Sequence, residues 1–79
     1  MARGKFQYTD DTGKEQTLVD PPDEVCQSFS GQGVVVNGTD AAVLFYGLDG
    51  CEGRPMQGLP PGTDGPIGPF ASFKFTRHG

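Results

Sequence analysis

A small all-β domain closed by one disulfide is the fold class this sequence predicts, and three observations predict it. Apolar residues recur at alternate positions in short runs, while no spacing of three and four persists for three helical turns. Thirteen Gly and seven Pro, about a quarter of the 79 residues, interrupt almost every window and leave room only for strands and turns. The third observation is the weakness of the core. With 34% of residues hydrophobic, six Phe, two Tyr and no Trp, a chain of this length is marginal on hydrophobic burial alone. Its two cysteines, Cys26 and Cys51, can supply a staple. They are 25 residues apart, too far for a CxxC redox or zinc motif, and one His with two Cys cannot complete a zinc shell. A disulfide closing such a loop is worth about 3 kcal/mol and suits a small secreted domain. A pair of buried free thiols in a cytosolic protein is the other reading.

The elements follow in order. In residues 5–9, Phe6 and Tyr8 alternate with polar neighbours; the turn DDTG follows, and EQTLV at 15–19 returns as the second strand of a hairpin. GVVVN at 33–37 and AAVLFYG at 41–47 read as strands flanking NGTD, whose Asn-Gly predicts a second turn. Residues 59–69, LPPGTDGPIGP, read as a long, stiff loop because of their proline content. FASFKFT at 70–76 has the sharpest alternation, with Ala71, Phe73 and Phe75 on one face and Ser72, Lys74 and Thr76 on the other. The chain is one domain, with approximate halves at 4–37 and 42–77.

The halves show an internal repeat. Phe6 is followed seven residues later by Gly13, and Tyr46 seven later by Gly53, an offset of 40 in both cases. At the same offset Lys14 meets Arg54, Val19 meets Leu59, and Pro21 meets Pro61. An aromatic and a Gly at this spacing, opening each of two halves, resembles the βγ-crystallin motif. In particular it resembles small secreted actinobacterial proteins of that fold, some of which inhibit peptidases. The resemblance implies a compact sandwich of two Greek keys, with Phe6, Gly13, Tyr46 and Gly53 at the folded corners. It also implies that Ser72 tethers the second hairpin and that the motif Gly has φ > 0; Gly50 lies outside the motif. The first half, SFSGQGVVV, offers Ser30 or Gly33 without a clear match. The family's calcium motif begins with two Asn or Asp. Here those positions are Gly68-Pro69 and Ser28-Phe29, which lack both, so neither the family site nor any other metal or cofactor is expected.

Charge and chemistry narrow the function classes. A formal net charge of −4, with Arg3, Lys5, Lys14, Arg54, Lys74 and Arg77 scattered singly, argues against nucleic acid. No segment approaches the roughly 20 apolar residues of a membrane helix. Residues 1–8 lack the apolar stretch of a signal peptide. The expectation is a secreted protein in processed form, with Met1 added as initiator. No catalytic constellation is present: His78 is the penultimate residue, and the carboxylates at 10–11, 20–24 and 49–52 lie at turn signals. Asn37-Gly38-Thr39 is a formal glycosylation sequon that reads as a turn. The expected function is therefore a non-enzymatic binding or structural module with a protein partner, either a protease or a cell-surface component. The alternative is a peptidase inhibitor presenting a stiff loop. The candidate partner segments are Arg54, Pro55, Met56 and Gln57 and the proline-rich stretch 59–69, with Leu59 and Ile67 as its apolar residues.

Overall fold

The computed structural model describes residues 2–77; Met1 and His78 lie outside that range. Eight strands run in order: β1 (Gly4–Thr9), β2 (Glu15–Val19), β3 (Cys26–Gln27), β4 (Gly31–Thr39), β5 (Ala42–Tyr46), β6 (Pro55–Leu59), β7 (Thr63–Phe70) and β8 (Ser72–Thr76). A single 3-10 turn, Asp49–Cys51, lies between β5 and β6, and there is no α-helix among the described residues. The strands form two four-stranded antiparallel sheets, β2-β1-β4-β7 and β3-β8-β5-β6. Advancing every strand by four positions converts one order into the other. Each half thus contributes its first, second and fourth strands to one sheet and its third strand to the opposite sheet. Neither half can form its sheet alone.

Local chemistry accounts for the first hairpin. β1 and β2 pair from Lys5↔Val19 to Thr9↔Glu15. The turn is then held by one carboxylate. Asp10 Oδ1 accepts from Thr12 N (3.0 Å), Thr12 Oγ1 (2.6 Å) and Lys14 N (2.9 Å), and Asp10 Oδ2 accepts from Gln16 Nε2 (2.9 Å). The period-2 pattern sends Phe6 and Tyr8 inward, where they meet the inner face of the other sheet. The Phe6 ring lies 5.0 Å from Phe73 and 4.9 Å from Phe75, centroid to centroid, and Phe45 packs on Phe70 at 4.8 Å. Val35, Val43 and Ile67 complete the centre of this aromatic core. Of the VVV run only Val35 is buried; Val34 and Val36 face outward, as alternation requires.

Three expectations are corrected. Residues 37–38 are not a turn. They continue β4, and the chain then crosses from one sheet to the other at Asp40-Ala41, because Asn37 supplies the missing partners from its side chain. Asn37 is fully buried; its Nδ2 donates to the carbonyls of Ala41 (2.9 Å), Pro60 (3.2 Å) and Leu59 (3.3 Å), and its Oδ1 accepts from Thr39 Oγ1 at 2.6 Å. The acceptor Asn of the sequon is therefore enclosed in the folded protein.

Residues 59–69 are not a long loop either. They contain the end of β6, a short turn and most of β7, which pairs with β4 from Asn37↔Thr63 to Val34↔Pro66 and beyond. Two prolines are tolerated because β7 is the edge strand of its sheet, where a missing N–H can face away from the ladder. Finally, residues 70–76 are not one strand: Phe70 ends β7, Ala71 marks the change of sheet by donating to the Tyr46 carbonyl, and β8 begins at Ser72.

Candidate functional site

The second hairpin differs from the first. β5 and β6 pair up to Tyr46↔Pro55, and the eight residues between them fold into a corner rather than a tight turn. Tyr46 and Ser72 are directly opposed in the β5–β8 ladder and so share a face, the outer one, since Phe45 and Phe73 point into the core. Ser72 is fully buried. Its Oγ accepts from Cys51 N (2.9 Å) and donates to the Leu48 carbonyl, so one hydroxyl pins both sides of the corner over the outer face of the sheet. Cys26, opposite Lys74 on the same face, is disulfide-bonded to Cys51 with a Cα separation of 5.9 Å, an ordinary span for such a bond. The corner of the second half is thereby tied to the third strand of the first half.

The backbone of the corner is tightly wound. Gly53 has φ 77°, but Gly50 at 71° and Cys51 at 55° are left-handed as well. The Gly50 peptide is thus as much part of the corner as Gly53. In the first half Gly13 has φ 87° at the tip of the Asp10 turn, while Phe6 sits four residues before that turn, in the middle of β1. The same aromatic-to-Gly spacing therefore encloses two different hairpins, one straight and one folded over. Ser30 is the nearest first-half counterpart to Ser72, but its Oγ donates to the Asp11 side chain (3.0 Å) instead of gripping the hairpin backbone.

Beyond the corner, Arg54, Pro55, Met56, Gln57 and Gly58 are all exposed. β6 is an edge strand, and the register between Phe45↔Gln57 and Tyr46↔Pro55 leaves Met56 as an extra residue, a bulge that re-aims its side chain. Met56 lies across two glycines. A Cβ on Gly47 would meet its Sδ at 3.8 Å, and one on Gly68, in β7 of the opposite sheet, would meet its Cε at 3.7 Å. Gln57 Nε2 donates to the Pro66 carbonyl (3.0 Å). The two edge strands β6 and β7 therefore stand side by side as one ridge with Met56 at its crest, 44% exposed.

Two expected partner residues are not on this ridge. Leu59 is 8% and Ile67 3% exposed; both point into the core, because they alternate with the exposed positions Gly58 and Pro66. In their place the ridge presents Pro66, Gly68 and Pro69 of the same proline-rich stretch. The signal was available: Ile67 stands alone between exposed small residues, as on a half-buried strand. Among the described residues no group of three or more His, Cys, Asp or Glu is arranged to hold a metal ion. No helix among them is long and apolar enough to cross a membrane. Compared with known proteins, the chain matches no family model, no curated protein and no solved structure.

Proposed function

We propose that this is a small secreted binding module of βγ-crystallin-like fold that acts without catalysis and presents the β6–β7 ridge to a protein partner. The strand exchange between halves and the Ser72-tethered corner support the family reading, and the Cys26–Cys51 bond supports an oxidising compartment. One observation carries the function. Residues 54–58 are extended, exposed and held rigid from both ends, by the disulfide corner before them and by the Met56 and Gln57 contacts to β7 beside them. A segment ordered before binding loses little conformational entropy on binding.

The same rigidity favours a second reading, peptidase inhibition. An extended edge segment can lie in a protease cleft as an added strand, with Met56 offering an apolar side chain to a specificity pocket. Incubation with a panel of serine and metalloproteases separates the readings. Stoichiometric loss of one protease's activity, abolished in Met56→Asp with the melting temperature unchanged, identifies an inhibitor. Full activity across the panel removes the inhibitor reading and leaves the binding module.

A further inference from the structure

At the opposite side of the molecule from the ridge, the β1–β2 hairpin and residues 28–30 enclose an open cleft of about 420 Å³. Its lining combines three kinds of group. Tyr8 is 4% exposed, its ring wedged against Phe73 (5.4 Å), Phe6 (5.7 Å) and Phe70 (6.1 Å), yet its hydroxyl engages none of the described residues. Burial, and then the Asp10 carboxylate nearby, push this phenol's pKa upward, so it remains a neutral hydroxyl. Phe29, 45% exposed, stands on the other wall and is backed by Phe73 at 6.3 Å. Asp10 and Asp11 supply the rim, and no lining residue is basic.

The two carboxylates differ. Asp10 has both oxygens occupied by the turn and contributes charge alone. Asp11 accepts from Ser30 Oγ on Oδ2 and keeps Oδ1 for a further donor. A calcium ion requires about six to eight oxygens, several of them carboxylate, and one open carboxylate oxygen does not approach that. An aromatic wall, a hydroxyl that opens into the cleft without a partner among the described residues and an acidic rim match instead a flat organic cation. Such a group gains from the ring faces and from a charge-assisted hydrogen bond together.

We propose that this cleft binds one alkylguanidinium group, stacked against Phe29, bonded to Asp11 Oδ1 and reaching the Tyr8 hydroxyl. The group could be carried by a free small guanidine or by an arginine side chain of another protein. Titrating the 15N-labelled, disulfide-intact protein at low salt tests it, with three probes: agmatine, an arginine-containing hexapeptide and the same peptide with citrulline. Saturable shifts confined to the amides of residues 8–18 and 28–30 are expected from the first two and not from citrulline. Asp11→Asn and Phe29→Ala, both at exposed positions, should each weaken binding about tenfold, as loss of one charge-assisted or cation–π contact implies; if Phe29→Ala fails to fold, Asp11→Asn decides alone. Equal affinity for agmatine and the peptide identifies a free guanidine, and tighter binding of the peptide identifies a protein ligand. Absence of saturation, equal shifts with citrulline, or displacement by equimolar calcium at the same amides would overturn the proposal.

Discussion

Asn37 shows how much one side chain can decide. Its amide occupies the crossing between the sheets, serving carbonyls from the β5 entry and from the turn after β6. Asn37→Ala would leave several buried acceptors without donors, at about 1–3 kcal/mol each before relaxation. A total loss of about 2–4 kcal/mol is expected in urea unfolding. The corner glycines carry a different cost. At Gly50 and Gly53 a Cβ would meet nothing closer than 3.7 Å, so strain at positive φ, not collision, sets the penalty. Each Ala variant should lose about 1–2 kcal/mol, and the two should be alike. Gly31→Ala is expected to be far worse, since its Cβ would overlap the Thr9 carbonyl oxygen. Asp10 links the turn to pH. Hydrogen bonds from Thr12, then Gln16, then the Lys14 and Thr12 amides hold its pKa well below the usual carboxylate range. A depressed folded pKa means that its stabilisation is complete above the unfolded carboxylate value, about 4, and is lost as pH falls toward the folded one. Asp10→Asn should therefore flatten the acid limb of the melting-temperature profile between about pH 4 and pH 2.

Among the elements, the β1–β2 hairpin was legible because its determinants are local: alternation in residues 5–9 and an Asp-rich turn. β7 was not, because Pro66 and Pro69 forbid a central strand and permit an edge strand, and a strand's place in the sheet order is not written in its own residues. The same holds for Asn37-Gly38, a pair that usually makes a turn: Asn37 is paired on both sides, with Phe6 and Thr63, and Gly38 with Lys5, so both remain in β4. The disulfide belongs to this scale too, since it joins the two-residue strand β3 to the folded corner. Intact-mass analysis without reductant should show no alkylation of the native protein. Replacing both cysteines by Ser should cost about 3 kcal/mol by the chain-entropy account, with the loss concentrated in β3, as hydrogen exchange would show.

For the molecule as a whole, stability rests on one aromatic core contributed equally by both sheets. Phe6 is in contact with Tyr8, Phe45, Phe73 and Phe75. Phe6→Ala should cost about 3–5 kcal/mol and should exceed Tyr46→Ala, because Tyr46 lies outside the core cluster; denaturant melts give both values. This ranking would not follow from the repeat, which makes Phe6 and Tyr46 equivalent. Sequence by itself determined what depends on neighbours along the chain: the all-β class, the period-2 faces of β1 and β8, the first turn, and two cysteines available to brace a small core. It also singled out Arg54 to Gln57, but as a loop, whereas Pro55 to Gln57 belong to the edge strand β6. Only the tertiary structure decided the exchange of third strands between halves, the burial of Leu59 and Ile67, and the union of β6 and β7 into a ridge. The Tyr8–Phe29 cleft was decided there as well. The physical reason is that periodicity and turn chemistry act over a few residues, whereas an edge, a ridge or a cleft exists only where segments distant in sequence meet.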